Sequence, residues 1–382
     1  MPHQNTVFRD VLKLLPWSRF ERLVEEYDAD ARVRRLTSKD QLVALLYGQF
    51  SGASSLREIV TSLSSHAAQL YHLGGADPVR RSTLSDANAQ RPAEVFSGLL
   101  EILMKQAHRG LRHKLAETVY LIDSTSVRLN ERSADWARFS AGVCGTKMHV
   151  IYDADADQPI YASVSAANVN DITAAKQMPI EPGATYVFDL GYYDYGWWAE
   201  LDEACCRIVT RFKSNTPLRV IQELKVRKGA NILSDRIGYL PARLAKSRQN
   251  PMPSAVREVM ITIESGKVLR ILTNDLDADA EHIADLYRRR WAIELFFRWV
   301  KQTLKITRFI GTSENAVRIQ IAVALIAFLL LRLAQRTQKA IKSPLVFTRL
   351  VRTQLMQRRS IHSLLAPPTC SQDERQISLA LC

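Results

Sequence analysis

The chain has 382 residues, 47% of them hydrophobic, which is enough for a substantial core in two or three domains and excludes a disordered or low-complexity protein. Lys and Arg outnumber Asp and Glu by 52 to 39, for a formal charge of +13 and a pI near 9.6, so the expected partner is polyanionic, nucleic acid before membrane surface. The cysteines (Cys144, Cys205, Cys206, Cys370, Cys382) form no C-x2-C pair and no Cys/His zinc spacing, which points to a reducing compartment and away from a disulfide scaffold.

The N-terminus has no apolar signal segment. From Thr6 to about Gly110 the pattern is helical, predicting helices at Phe8–Tyr27, Lys39–Phe50, Leu56–Leu70 and Ala93–His108, with Ser55 and Glu58 spaced as a capping box and Pro92 suited to a first turn. Gly74-Gly75 and Asp77-Pro78 mark a turn before a short polar, basic helix, Arg80–Asn88. That pattern suits either a helix-turn-helix reader of a major groove or an exposed linker in an ordinary bundle.

After Lys114 the period becomes strand-like. Thr118–Ile122 is an apolar run ending on Asp123; Lys147–Tyr152 pairs with Pro159–Val164 across the turn Asp153–Gln158; Thr185–Phe188 is a buried strand ending on Asp189; and Cys206–Phe212 is a fifth strand. Helices are expected near Asp171–Met178 and at Trp197–Ala204. Residues 213–265, rich in Lys, Arg, Ser and Pro, read as an inserted β-rich segment, and Val268–Thr273 as a further strand. A long helix from about Ala280 to Leu304 closes the unit. The most lipid-like run, Ile319–Leu331, contains Gln320 and is too short to span a bilayer, so it reads as a buried helix. Basic residues concentrate late: residues 287–310 hold seven Arg or Lys against one acid, and residues 332–359 hold eight against none.

The long helix carries Tyr287, Arg290, Glu294 and Lys301 in the spacing Y-x2-R-x3-E-x6-K. At about 100° per residue these four fall within an arc of roughly 60°, widened to about 80° by Arg298 and Lys305. The remaining positions (Leu286, Ile293, Leu295, Phe296, Phe297, Trp299, Val300, Leu304) are apolar, so the helix is expected to be buried on most sides with one polar strip. Asp123 and Asp189 at strand ends and Glu294 on this helix are hard oxygen ligands of the kind Mg²⁺ prefers. Two such ions about 3.5–4 Å apart activate a water or 3′-hydroxyl and stabilise the leaving oxygen of a phosphodiester. For each residue the alternative is a capped strand end or a buried ion pair, such as Arg290 with Glu294.

Three strands, a helix, a strand, a helix, a strand and a final helix, with acids on the first strand, after the fourth and on the last helix, is the order of a ribonuclease-H-like fold. On these residues the chain resembles the IS-four group of insertion-sequence transposases, within the wider DDE class. Tyr287, Arg290, Glu294 and Lys301 match that group's signature, Asp189-Leu190-Gly191-Tyr192 its D-x-G-Y/F pattern, and Asp123-Ser124-Thr125 its first aspartate. The resemblance covers roughly residues 115–335. It implies an α/β fold, a ribonuclease-H-like catalytic core interrupted by a β-rich insertion and preceded by an all-α domain. The expected divisions are residues 1–112, an all-helical DNA-binding domain; 113–335, the catalytic domain with its insertion at 213–265; and 336–382, a basic helical segment.

The resemblance further implies cut-and-paste transposition with Mg²⁺, which Mn²⁺ can replace. Asp123, Asp189 and Glu294 would be metal ligands, and Tyr287, Arg290 and Lys301, extended along the stripe by Arg298 and Lys305, would hold DNA. The expected partners are double-stranded DNA, both terminal inverted repeats and target, and a second copy in a homodimer on that DNA, with no membrane and no nucleotide cofactor. The expected location is the cytoplasm, at the nucleoid. The rivals are a metal-dependent nuclease or resolvase of the same fold and a catalytically inactive DNA-binding relative. Relatives that pass through a DNA hairpin hold a flipped base with an aromatic of the inserted region, whereas residues 213–265 have no Trp and only Tyr239.

Several lookalikes fail on spacing. Asp153, Asp155 and Asp157 begin like a calcium loop, but Gln158 and Val164 stand at its sixth and twelfth positions, so a polar hairpin turn is expected. Residues Gly142–Lys147 lack the full phosphate-loop pattern, and Ser124 lacks a G-x-S-x-G context. His149 is expected as a satisfied core histidine, and Trp197 and Trp198 as core.

Overall fold

A computed structural model describes residues 5–67, 79–109, 118–140, 143–226, 231–243, 249–303, 309–338 and 340–365. Its contacts divide into two units: Met104–Gln302 with Ile306–Glu314, and Met1–Leu103 with Thr303–Lys305 and Asn315–Cys382.

The first of these is built on a mixed sheet. Strands β1 (Val119–Leu129), β3 (Val143–Asp153) and β4 (Gln158–Ala166) pair antiparallel, while β1, β5 (Thr185–Phe188) and β6 (Arg207–Arg211) run parallel, in the order β4-β3-β1-β5-β6. This is the ribonuclease-H-like order. A short β2 (Arg138–Ser140) adds to the far end of β3. Where β1 and β5 run side by side in parallel, Val119–Leu121 and Thr185–Phe188, both are buried and largely apolar, as parallel strands covered on both faces must be.

One side chain cluster covers the sheet with helix Tyr195–Glu203. Phe188, Trp197 and Trp198 are fully buried there, with Phe188 and Trp197 ring centroids 5.0 Å apart, so both tryptophans are core as expected.

Asp123 was expected at a strand end and is not. Strand β1 continues to Leu129, and Asp123 lies within it, opposite Val150 of β3. Beyond Asp123 the burial alternates, Thr125 and Val127 inside, Ser126 and Arg128 outside, so the polar residues mark a half-exposed stretch of strand and not its end.

The insertion is rich in strand, yet it lengthens the same sheet. Strand β10 (Val268–Thr273) pairs antiparallel with β6 and leads through β9 (Val256–Thr262) and β8 (Ile232–Tyr239) to β7 (Arg219–Glu223). Its buried carboxylates, Asp235 and Glu258, are paired. Arg257 donates to both carboxylate oxygens of Asp235 at 2.8 and 2.7 Å, and Glu258 accepts from Arg236 and Arg270.

The expected single helix from Ala280 to Leu304 is two, Ala280–Arg289 and Trp291–Thr303, joined at Arg290. There the Arg290 N–H bonds the Tyr287 carbonyl and the Ile293 N–H bonds the Arg290 carbonyl, each three residues back at 3.2 Å, so the chain tightens locally to 3₁₀ geometry. Phe296 packs its ring 5.0 Å from that of Tyr152 on β3, and Ile293, Phe297 and Val300 are also buried, which fixes the second helix.

The other unit is helical among its described residues. Instead of one helix over Phe8–Tyr27 there are two, Val7–Leu12 and Trp17–Glu26, because Pro16 lacks an N–H and crowds the preceding turn. Helix Ser38–Ser51 begins with a full Thr37/Asp40 capping box that the sequence reading passes over. At the expected box Ser55 accepts the Glu58 N–H, but the Glu58 carboxylate takes the Ser54 N–H in place of that of Ser55. Helix Leu56–Ser65 follows; the expected turn at Gly74–Pro78 lies outside the described residues. Helices Arg81–Gln90 and Pro344–Gln354 also lie in this unit, as do residues 93–103 of helix Ala93–Arg109 and residues 315–336 of helix Glu314–Arg336. Among the described residues Glu314–Arg336 alone is long and apolar enough to cross a membrane, but 83% of its apolar window is buried, in keeping with a core helix.

Candidate active site

The parallel register of β1 and β5 sets two of the acids side by side. Leu121 is partnered with Val187, and two residues further along both strands come Asp123 and Asp189. Because β5 ends at Phe188, the second half of β1 overhangs it, and Asp189 sits in the turn at the strand's end. Each aspartate is held by a backbone N–H close by in sequence, Asp123 by Ser124 at 2.8 Å and Asp189 by Gly191 at 2.8 Å. A Cβ at 191 would lie 3.0 Å from the Asp189 Oδ1 and 3.3 Å from the Asp171 Oδ2, tighter than ordinary contact, so both carboxylates would have to give by a few tenths of an ångström. The turn is anchored by Tyr192, whose carbonyl accepts from the Trp198 indole at 3.1 Å.

Glu294 reaches this pair through Arg290. The Arg290 guanidinium donates to the Glu294 carboxylate at 2.5 Å, lies 3.5 Å from the Asp123 carboxylate, and stands 5.8 Å from the centroid of the Tyr287 ring. Asp123, Tyr287, Arg290 and Glu294 are thus brought together. Lys301 is half-buried within the electrostatic reach of Asp123: burial pushes its ammonium below the ordinary value and Asp123 pulls the other way.

Two expected members differ. Arg298 is exposed with its guanidinium 5.8 Å over the exposed Trp291 ring, and Lys305 lies outside the described residues. The helix is also less covered than expected, because Trp291 and Leu295 stand outward, 51% and 46% exposed.

The electrostatics are those of crowded acids. Burial, and then the neighbouring Asp189 and Glu294 charges, push the Asp123 carboxyl up to about 6, against the pull of the Ser124 N–H and of Arg290. Burial alone would lower the Arg290 guanidinium, but Tyr287, Glu294 and Asp123 together hold it above its ordinary value. Burial raises the Tyr287 hydroxyl, opposed by Arg290 and by Arg211 at the end of β6.

The donor chemistry fits a hard divalent cation: three carboxylates, one of them resisting ionisation for want of positive charge. Among the described residues no trio of His, Cys, Asp or Glu is already gathered in ligand geometry, and it is the Arg290 guanidinium that spans Asp123 and Glu294.

Asp171, Ser124 and Arg211 also belong to this neighbourhood, and the sequence marks none of them. Asp171 accepts from the Ser124 hydroxyl at 2.7 Å and from Lys147 at 3.1 Å. The rejected calcium loop is a hairpin turn in which Asp153 accepts the N–H groups of Asp155 and Ala156, Asp157 accepts from Tyr152, and Asp155 pairs with Arg289. His149 is fully buried and burial lowers its basicity; its Nε2 is bonded to Ser165, but its Nδ1 has no hydrogen-bond partner and lies 3.8 Å from the Asp171 carboxylate, so it is a core imidazole satisfied on one side only.

In the helical unit a cleft of about 1370 Å³ is bordered by the exposed Arg32, Arg34, Arg35, Arg80 and Arg81. Its floor is fixed by buried Arg91, which donates to Gln41 at 2.9 Å and to the Leu36 carbonyl, while Gln41 donates to Asn88 at 2.7 Å.

Comparison with known proteins adds the following. Residues 114–330 match the transposase DDE domain, and residues 3–76 match a domain of unknown function. The transposase-named y4zB protein of Sinorhizobium fredii is 40% identical over 77% of this chain and 82% of its own length. A Geobacillus stearothermophilus protein named for transposition of insertion sequence element IS5377 is 30% identical over 75% of this chain and 76% of its own. One from Synechocystis named for element IS4SA is 47% identical over 53 residues, 14% of this chain and 16% of its own.

Proposed function

The chain belongs to the IS-four group of DDE transposases of insertion sequences, enzymes that cleave DNA and transfer strands, and from that premise we propose that Asp123, Asp189 and Glu294 hold its divalent metal, Mg²⁺ with Mn²⁺ as a substitute, and that Tyr287, Arg290 and Lys301 hold phosphates of the element's ends. The observation that carries this reading is the meeting of Asp123 and Glu294 on one guanidinium, with Asp189 beside Asp123 in the sheet register. Bound there, the metal would supply Lewis-acid activation of a water or 3′-hydroxyl and charge neutralisation at the leaving oxygen. The chain's own part is position. The strand and turn N–H groups fix the two aspartates, and the sheet-packed helix fixes Glu294. Arg290, within reach of two of these acids, offers a planar fork that matches phosphate oxygens beside them. The partly buried Lys301 adds a point charge on the same side, and by their place in the sequence stripe Arg298 and Lys305 are assigned to DNA as well.

We read residues 1–112 as the DNA-binding domain, residues 113–335 as the catalytic domain and residues 336–382 as a basic helical extension. The arginine-bordered cleft supports the first assignment, because five exposed guanidiniums along one depression suit a phosphate backbone. Concerted joining of two terminal inverted repeats to target DNA calls for two active sites, and hence a homodimer on DNA.

Glu294→Gln tests the metal reading. Binding to a terminal-repeat duplex should persist while Mg²⁺-dependent cleavage disappears, and cleavage at the wild-type rate would sink it. With a pre-cleaved end carrying a free 3′-hydroxyl, the wild-type chain should give joined product. Nicks alone would point to a nuclease.

A further inference from the structure

Behind the two aspartates lies a third that the proposed chemistry does not use. Asp171 opens the short helix Asp171–Ala175; its carboxylate is bonded to Ser124, which holds Asp123, and faces the side of Gly191, which holds Asp189. On one side, Ser124 is bonded in both directions: its N–H donates to the Asp123 Oδ1 at 2.8 Å and its hydroxyl to the Asp171 Oδ1 at 2.7 Å. Neighbouring side chains on a strand point to opposite faces, so this link crosses β1 from the Asp123 face to the Asp171 face. On the other side, Gly191 gives its N–H to the Asp189 Oδ1 at 2.8 Å, and the Asp171 Oδ2 lies 3.3 Å from where a Gly191 Cβ would be.

Asp171 is neutralised from β3, where Lys147 donates to its Oδ1 at 3.1 Å and to the Val169 carbonyl at 3.0 Å. The Asp171 and Lys147 side chains are 25% and 18% exposed, so this pair is largely withdrawn from water and its geometry is correspondingly stiff.

We propose that Asp171 is a positioning residue for metal binding, holding the strand of Asp123 through Ser124, with Lys147 as its counterion. The proposal rests on the reading of Asp123, Asp189 and Glu294 as the metal carboxylates. Groups behind metal ligands that fix their orientation are worth about 10- to 100-fold in metal affinity.

The test is Mn²⁺ affinity of the full chain without DNA, read from the electron paramagnetic resonance signal of free Mn²⁺, alongside end binding in EDTA and thermal unfolding. Asp171→Ala should weaken Mn²⁺ about tenfold or more, with end binding in EDTA unchanged. Asp171→Asn keeps an oxygen for the Ser124 hydroxyl and should stay within about threefold of wild type, whereas a direct ligand would lose as much as in the alanine variant. Ser124→Ala breaks the link while leaving the Asp171 charge and should also weaken Mn²⁺. It decides the matter if Asp171→Ala does not fold.

Wild-type affinity in Asp171→Ala or in Ser124→Ala, or equal loss in the asparagine and alanine variants, would overturn the proposal. Glu294→Gln run in parallel separates the two levels. If it binds Mn²⁺ as wild type does, the ligand reading fails and the proposal with it. If it is weakened while Asp171→Ala is not, the proposal alone fails.

Discussion

Asp123→Asn should make the free protein more stable at neutral pH, although it removes an acid of the site. Burial, with the side chain 17% exposed, and the nearby Asp189 and Glu294 carboxylates raise the Asp123 acid from 3.8 to about 6. An acid whose folded value lies above its unfolded value binds its proton more tightly in the native state. Stability therefore falls as pH rises through the window between 3.8 and about 6. At 1.36 kcal/mol per pH unit, a gap of about two units makes the ionised carboxylate cost about 3 kcal/mol above the window and almost nothing below it.

Asparagine keeps an acceptor for the Ser124 N–H, and Arg290 keeps Glu294 at 2.5 Å, so the substitution removes the charge and little else. Urea unfolding without divalent metal should show the variant ahead of wild type by up to about 3 kcal/mol near pH 8 and by well under 1 kcal/mol near pH 4. Millimolar Mg²⁺ near pH 8 should then raise the wild type more than the variant, because only the wild type carries all three acids. Parallel pH dependence in the two proteins would refute the reasoning, since it would mean that Asp123 titrates alike folded and unfolded.

Three further substitutions probe other parts of the same frame. Gly191→Ala puts a methyl group 3.0 Å from the Asp189 Oδ1, so cleavage should drop by about tenfold to a hundredfold with little change in melting temperature; full activity would show that the turn yields freely. Arg257→Ala leaves Asp235 charged and buried in the extended sheet and should cost about 3–5 kcal/mol in denaturant unfolding, whereas a loss below about 1 kcal/mol would mean water reaches the carboxylate. Lys301→Ala should lower the salt dependence of end binding by about one unit of slope, measured by fluorescence anisotropy across a salt series, and an unchanged slope would take Lys301 off the DNA.

The strand order was legible because five apolar runs are each bounded by polar turns, and the D-x-G-Y run survives intact after β5. The position of Asp123 within its strand was not, because Asp123, Ser124 and Ser126 look like a terminus unless the buried Thr125 and Val127 are weighed as the other half of an alternation. The break at Pro16 carried a plain signal in the proline itself. Asp171 carried none: its partner Ser124 is 47 residues away, and a single acid at a helix start is ordinary in sequence. The joining of β10 to β6 was equally hidden, since pairing partners depend on register across the whole insertion, while the alternation within it shows only that strands are present.

The junction at Arg290 bears on why the Y-x2-R-x3-E-x6-K spacing works at all. That spacing places four side chains on one face only if the backbone advances about 100° per residue throughout, and here it does not. Near Arg290 the bonds run three residues back, and each residue in such a turn advances about 120°, so a few such steps swing Tyr287 by some tens of degrees relative to Glu294. A swing of that size leaves Tyr287 beside the Arg290 guanidinium, 5.8 Å from ring centroid to charge, and leaves Arg290 able to reach both Glu294 and Asp123. The long, flexible arginine at the joint absorbs the change in helical phase, which a shorter cationic side chain would not. Trp291, the next residue, begins the second helix 51% exposed.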